Sequence, residues 1–175
     1  GFSATFSCSA EPPEPPKPLF SIASTELCAN EPAVFTDESL EFPTSWFWEF
    51  GDGKSSADFS PAHVYEQEGT FDVYLEITSP IGCVTDTLFE DLIHVDPSPV
   101  ANFTFNPRDP DNFNPEVNFT DLSQGADRWF WFLEGPYPSR EQNPAHRFRD
   151  TGFQEVRLIV THPLGCQDTS IQVVD

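Results

Sequence analysis

The chain has 175 residues, and its scarce helix formers, 18 Pro, 18 Phe and absent Met place it in the all-β class. Its 29 acidic and 8 basic residues leave a net charge of −21, which repels phosphate backbones and anionic lipid surfaces and excludes nucleic acid as a partner. No apolar run approaches the ~20 residues of a membrane-spanning helix, and without an initiator methionine the chain reads as a processed form or a piece of a longer protein.

In chain order, Phe2, Ala4, Phe6 and Cys8 alternate with Ser3, Thr5, Ser7 and Ser9, a strand pattern without a sheet of its own. Glu11 to Pro18 follows as an extended proline-rich spacer, about 25 Å long at ~3.1 Å per residue. Residues 1–18 therefore form an N-terminal strand plus linker. Two readings of the strand stay open. It closes a preceding module or folds back on its own chain, or it acts as a strand donor to the second module of the next subunit in a head-to-tail assembly.

A first module is expected over 19–96. The run Ser45 to Phe50 puts Trp46, Trp48 and Phe50 on one face, and Gly51-Asp52-Gly53 supplies a tight turn. Thr70 to Thr78 alternates as a half-buried strand, with Phe71, Val73, Leu75 and Ile77 inward. A second module over 97–175 repeats the first. Phe35-Thr36-Asp37 returns as Phe119-Thr120-Asp121 at an offset of 84 (119 − 35), and Trp46-Phe47-Trp48 returns as Trp129-Phe130-Trp131 at 83 (129 − 46). Pro61-Ala62-His63 and Gly82-Cys83 also return at 83, as Pro144-Ala145-His146 and Gly165-Cys166 (144 − 61, 165 − 82). The joint, Asp96-Pro97-Ser98-Pro99, is short and stiffened by two prolines, which predicts limited swing. Short strands with turn signals around a tryptophan strand predict two tandem immunoglobulin-like β-sandwiches.

Trp48-Glu49-Phe50-Gly51-Asp52-Gly53, Pro61-Ala62-His63-Val64-Tyr65 and the strand Gly69 to Leu75 resemble the polycystic-kidney-disease (PKD) repeat family. Module two keeps Trp131, Pro144, His146 and Gly152 but has Leu133-Glu134-Gly135-Pro136 at the turn, so it resembles a diverged copy lacking an Asp52 equivalent. The stretches Gly82 to Thr87 and Gly165 to Thr169 are similar to repeats in surface and type IX-secreted proteins of Bacteroidetes, of the gliding-motility-associated or adhesin-like kind. That resemblance implies an extracellular, cell-surface module with a structural or adhesive role. It reads as a stiff spacer or fibre-forming subunit, or alternatively as a carbohydrate-binding module of a larger secreted protein.

The four cysteines show no zinc spacing and read as disulfides of an oxidising compartment. Their positions before the second and last strands, and the pattern of similar repeats, imply a Cys28–Cys83 bridge. This leaves Cys8 and Cys166, which would pair between subunits in the donated-strand reading.

No enzyme is expected. His63 and His146 recur with the repeat, which suits packing better than catalysis, while His94 and His162 belong to no nucleophile–base pattern. The carboxylates are abundant but unpatterned, and no cofactor motif appears. A calcium site from Asp52, Glu49 and Asp37 is the one metal candidate considered. Phe47, Tyr74, Phe130 and Phe132 fall on outward strand faces and form a candidate binding face for glycans or for protein, either a second copy or neighbouring modules. Asn102-Phe103-Thr104 and Asn118-Phe119-Thr120 fit an N-glycosylation pattern, and Asp86-Thr87-Leu88 is similar to a Bacteroidetes O-glycosylation motif.

Overall fold

In every long strand of the protein, side chains alternate between a buried and an open face, and the buried ones are those spaced by two in the sequence. The computed structural model describes residues 17–107, 116–149 and 152–174. The candidate donor strand Phe2 to Cys8 lies outside the described residues. The described residues contain strands and no helix, so the fold is all-β. The chain divides between Asp96 and Pro97 into two compact units.

Unit 1 contains β1 (Phe20–Ile22), β2 (Glu26–Cys28), β3 (Pro32–Asp37), β4 (Ser45–Glu49), β5 (Ser55–Ser56), β6 (Ala62–Val64), β7 (Gly69–Thr78) and β8 (Val84–Asp96). They form two sheets, β1-β3-β6 and β2-β8-β7-β4-β5. All pairs are antiparallel except β2 with β8. Phe35 from the first sheet and Trp48, Val73, Leu75 and Ile77 from the second are wholly buried in one core. Phe20 adds its ring edge against Phe35 and Trp48, at 5.6 and 5.2 Å between centroids. Truncating an aromatic at the centre of such a core costs about 3–5 kcal/mol.

Unit 2 contains β9 (Phe103–Asn106), β10 (Glu116–Asp121), β11 (Arg128–Phe132), β12 (Ala145–Arg147), β13 (Gln154–Thr161) and β14 (Gln167–Val174). Its sheets are β12-β10-β9 and β11-β13-β14, enclosing Phe103, Val117, Phe119, Trp131, Val156, Leu158 and Val160. The pairings repeat those of unit 1. Trp46 faces Ile77 and Trp129 faces Val160 across the equivalent ladders. Trp48 pairs with Ser56 in β5, and Trp131 makes a single bridge to Ser139, 83 residues on in both cases (131 − 48, 139 − 56).

The topology corrects the expected Cys28–Cys83 bridge. Cys28 ends β2, which runs parallel to β8 and sets Cys28 beside Asp96, while Cys83 precedes Val84 at the other end of β8. Val84 pairs with Thr78 and Val95 with Gly69, so the two cysteines sit beyond opposite ends of β7. Nine residue steps (78 − 69) span about 30 Å at ~3.3 Å each, whereas a disulfide needs Cα atoms within ~7 Å. Cys28, Cys83 and Cys166 are all disulfide-bonded, and this separation along β7 keeps the first two from bonding to each other.

Candidate functional site

A buried polar cluster of unit 1, centred on His63, grows out of the turn after β4. Gly51 and Gly53 adopt φ of 79° and 84°, left-handed values that glycine reaches without steric cost. At Gly51 a Cβ would also lie 2.6 Å from the Asp72 carbonyl oxygen, so this residue must be glycine for space as well. The turn aims Asp52 back over the sheet end. Its Oδ1 accepts the Lys54 backbone N–H at 3.0 Å, and its Oδ2 lies 2.9 Å from His63 Nε2.

His63 is held by rings on both sides. Phe50 stacks on it at 4.1 Å with 4° between planes, and Tyr65 meets it edge-on at 4.6 Å. Tyr65 in turn stacks on Phe71. Its hydroxyl is buried with no hydrogen-bond partner among the described residues, and burial together with the negative charge of Asp52 pushes the phenol well above its ordinary value. Outside this cluster Lys54 Nζ donates to Glu66 at 2.8 Å, which holds the exposed Glu66 carboxyl below its usual range. Asp52, Lys54, Glu66 and Phe71 line a cleft of about 280 Å³. The pieces are a clamp around one imidazole, with no side-chain nucleophile hydrogen-bonded to it.

Unit 2 rebuilds the clamp with different residues. His146 Nε2 lies 3.2 Å from Glu134 Oε2, and Phe148 meets the imidazole edge-on at 4.7 Å. The histidines are 83 apart (146 − 63) but the carboxylates only 82 (134 − 52), and the extra methylene of glutamate makes up for a carboxylate placed one residue nearer the tryptophan strand. Sequence reading left module two without an Asp52 equivalent, and Glu134 is that equivalent. The signal was present as a carboxylate one residue before Gly135, as Asp52 precedes Gly53. The copy is looser: the His146 side chain is 26% exposed against 8% for His63.

The calcium candidate is not assembled. Asp52 is turned in to His63, Glu49 is exposed on the outer face of β4, and Asp37 belongs to the opposite sheet, where it accepts from the Ser39 hydroxyl. Among the described residues no three potential ligands form a metal-holding group. His94 lies 3.1 Å from the Thr70 hydroxyl, and His162 is buried, with Nδ1 accepting the Leu164 N–H. Thr87 of the O-glycosylation pattern pairs with Leu75 on the inward face of its sheet. Asn102 and Asn118 of the N-glycosylation pattern are both exposed.

Of the four outward aromatics, two belong to each unit. Phe47 is 40% exposed on β4, and Tyr74 on β7 donates its hydroxyl to Glu76 at 3.2 Å. Phe130 and Phe132 on β11 are half-buried, each covered by a guanidinium. Arg140 stands 5.5 Å over Phe130 and Arg157 stands 4.4 Å over Phe132.

Residues 14–92 match the PKD domain. A 38-residue stretch, 22% of this chain, is 45% identical to collagenase ColQ1 of Bacillus cereus (strain Q1), and it spans 4% of that protein's length. Among solved structures, the PKD1 domain of Vibrio anguillarum Epp aligns with 47% of this chain and 98% of its own, at 21% identity and TM-score 0.41. The Clostridium thermocellum CbhA fibronectin(III)-like modules align with 89% of this chain and 91% of theirs, at 11% identity and TM-score 0.45. Carbohydrate-binding modules of the β-sandwich superfamily align with 85% of this chain and 59% of theirs, at 17% identity and TM-score 0.46.

Proposed function

We propose that the chain is a non-catalytic, extracellular structural segment, two copies of one sandwich serving as a stiff spacer or fibre-forming subunit of a larger surface or secreted protein. The observation that carries this reading is the duplicated clamp. Both units direct a carboxylate onto the histidine of the Pro-Ala-His stretch and pack aromatic rings around it, so the groups most suited to chemistry are used to hold each sandwich closed. The PKD match over 14–92 and the disulfides agree with export to an oxidising compartment. No helix among the described residues is long and apolar enough to cross a membrane.

A spacer has to resist extension. Single-molecule pulling of the chain between two handles is expected to give two discrete unfolding events, one per unit. Smooth extension without a force peak would refute the spacer reading.

A second reading, an adhesive or carbohydrate-binding module, is favoured by one observation, the exposed Phe47 ring on a flat sheet face. Glycan-array binding abolished by Phe47→Ala would establish it. Phe130 and Phe132 serve it less well, since their own arginines occupy the ring faces.

A further inference from the structure

Across two matched rows the outer faces of the two duplicated sheets differ in charge, and the next row of the unit 2 face, Glu155 beside Val173, holds a carboxylate. In unit 1 the rows across β4, β7 and β8 place Phe47 beside Glu76 and Asp86, and Glu49 beside Tyr74 and Leu88. Three carboxylates and three apolar groups share that face, and its rows hold no cation. In unit 2 the corresponding rows across β11, β13 and β14 place Phe130 beside Ile159 and Thr169, and Phe132 beside Arg157 and Ile171. The position of Glu49 has become Phe132 (132 − 49 = 83), and that of Tyr74 has become Arg157 (157 − 74 = 83).

The arginines of this face are set for an external partner. All six arginines of the chain lie beyond residue 100, and both lysines lie before it. Arg140 and Arg157 are exposed and stacked over Phe130 and Phe132, and among the described residues neither has a carboxylate within ion-pair distance. The described arginine that does is Arg128, 3.4 Å from Asp127. In a chain with 29 acidic residues, two guanidiniums outside ion-pair distance of every described carboxylate and stacked over rings present charge outward at low entropic cost.

We propose that the unit 2 face, through Arg140 and Arg157, docks the unit 1 face of a second copy, through Glu49, Glu76 and Asp86. The contact is heterologous, joining two different faces rather than one self-complementary patch. Three strands ~4.8 Å apart and about 20 Å of strand length give roughly 300 Å² per face, which belongs to the weak, transient class of interface. Face-to-face association rests on the structural-segment reading above. It is read by sedimentation and not by unfolding under load, so either can fail without the other.

The test is sedimentation velocity of the whole chain up to about millimolar concentration in 0.1 M salt. There a Debye length of ~10 Å screens the repulsion between whole molecules but not contacts inside the interface. Wild type is expected to associate reversibly, and to lose association in 1 M salt, where the Debye length is ~3 Å. R140E/R157E and E49R/D86R are each expected to remain monomeric, because each variant carries two faces of one sign. An equimolar mixture of the two is expected to associate again. The substituted side chains lie on outer sheet faces, and circular dichroism checks that both variants fold. A wild type that stays monomeric throughout, variants that associate as wild type does, or a mixture that stays monomeric would overturn the proposal. So would a monomeric wild type that binds polygalacturonate through Arg140 and Arg157, which would assign the face to an anionic glycan.

Discussion

Replacing Gly51 by alanine should cost unit 1 about twice what the same replacement costs at Gly53, two residues further on. Both residues have left-handed φ, 79° and 84°, so each alanine carries the same backbone penalty, roughly 1–2 kcal/mol. At Gly53 the new methyl meets nothing within 4 Å, and that penalty is the whole effect. At Gly51 it would lie 2.6 Å from the Asp72 carbonyl oxygen and 2.9 Å from the Asp72 nitrogen, and neither is a side chain that can rotate away. Relief requires moving β7, or lifting the turn that carries Asp52 off His63, which adds the cost of an overpacked site, about 1–3 kcal/mol. The totals are about 1–2 kcal/mol for Gly53→Ala and about 2–5 kcal/mol for Gly51→Ala. In a unit of this size 1 kcal/mol corresponds to ~4–8 °C in Tm, so calorimetry of the two variants separates them easily. Equal shifts would refute the close approach of the turn to β7.

Asp52→Ala should destabilise unit 1 by about 1–3 kcal/mol, because it leaves the His63 ring nitrogen buried without its partner. Glu134→Ala should cost unit 2 less, since His146 reaches water, and hydrogen exchange resolved by mass spectrometry separates the peptides of the two units. Tyr65→Phe removes a buried hydroxyl that has no partner and should stabilise unit 1 by about 1 kcal/mol, while a loss of stability would reveal a bond to that oxygen. The same variant tests the raised phenol: above pH 10 the unfolded chain releases this proton and the folded one retains it, so wild-type stability falls as pH rises. That fall, up to ~1.4 kcal/mol per pH unit, should shrink in Tyr65→Phe denaturation curves. Non-reducing peptide mapping should yield no peptide joining Cys28 to Cys83, and recovering one would contradict the parallel pairing of β2 with β8.

The sandwich was legible because burial at every second residue leaves a period-two trace, and duplication wrote that trace twice. Trp48 and Trp131, Phe35 and Phe119, and the inward rows of β7 and β13 all came from that pattern. What depends on which end of a strand a residue occupies was not legible. Cys28 and Cys83 both flank strands, and only the parallel placement of three-residue β2 beside the far end of β8 shows that they point to opposite ends. Compensation between neighbours was equally hidden, as when Glu134, one residue earlier in its turn, does what Asp52 does. The outward aromatics were identified, but strand alternation says nothing of the arginines that lie over Phe130 and Phe132, one of them outside any strand.

The account stands on two tryptophans sealed inside two equivalent cores. In a Trp46→Phe/Trp129→Phe variant the remaining emitters are Trp48 and Trp131, both wholly buried. Iodide should leave their fluorescence unquenched until the chain is unfolded by denaturant. Quenching of either one in the folded protein would contradict the duplicated core, and with it the assignment of the chain as two copies of one structural sandwich.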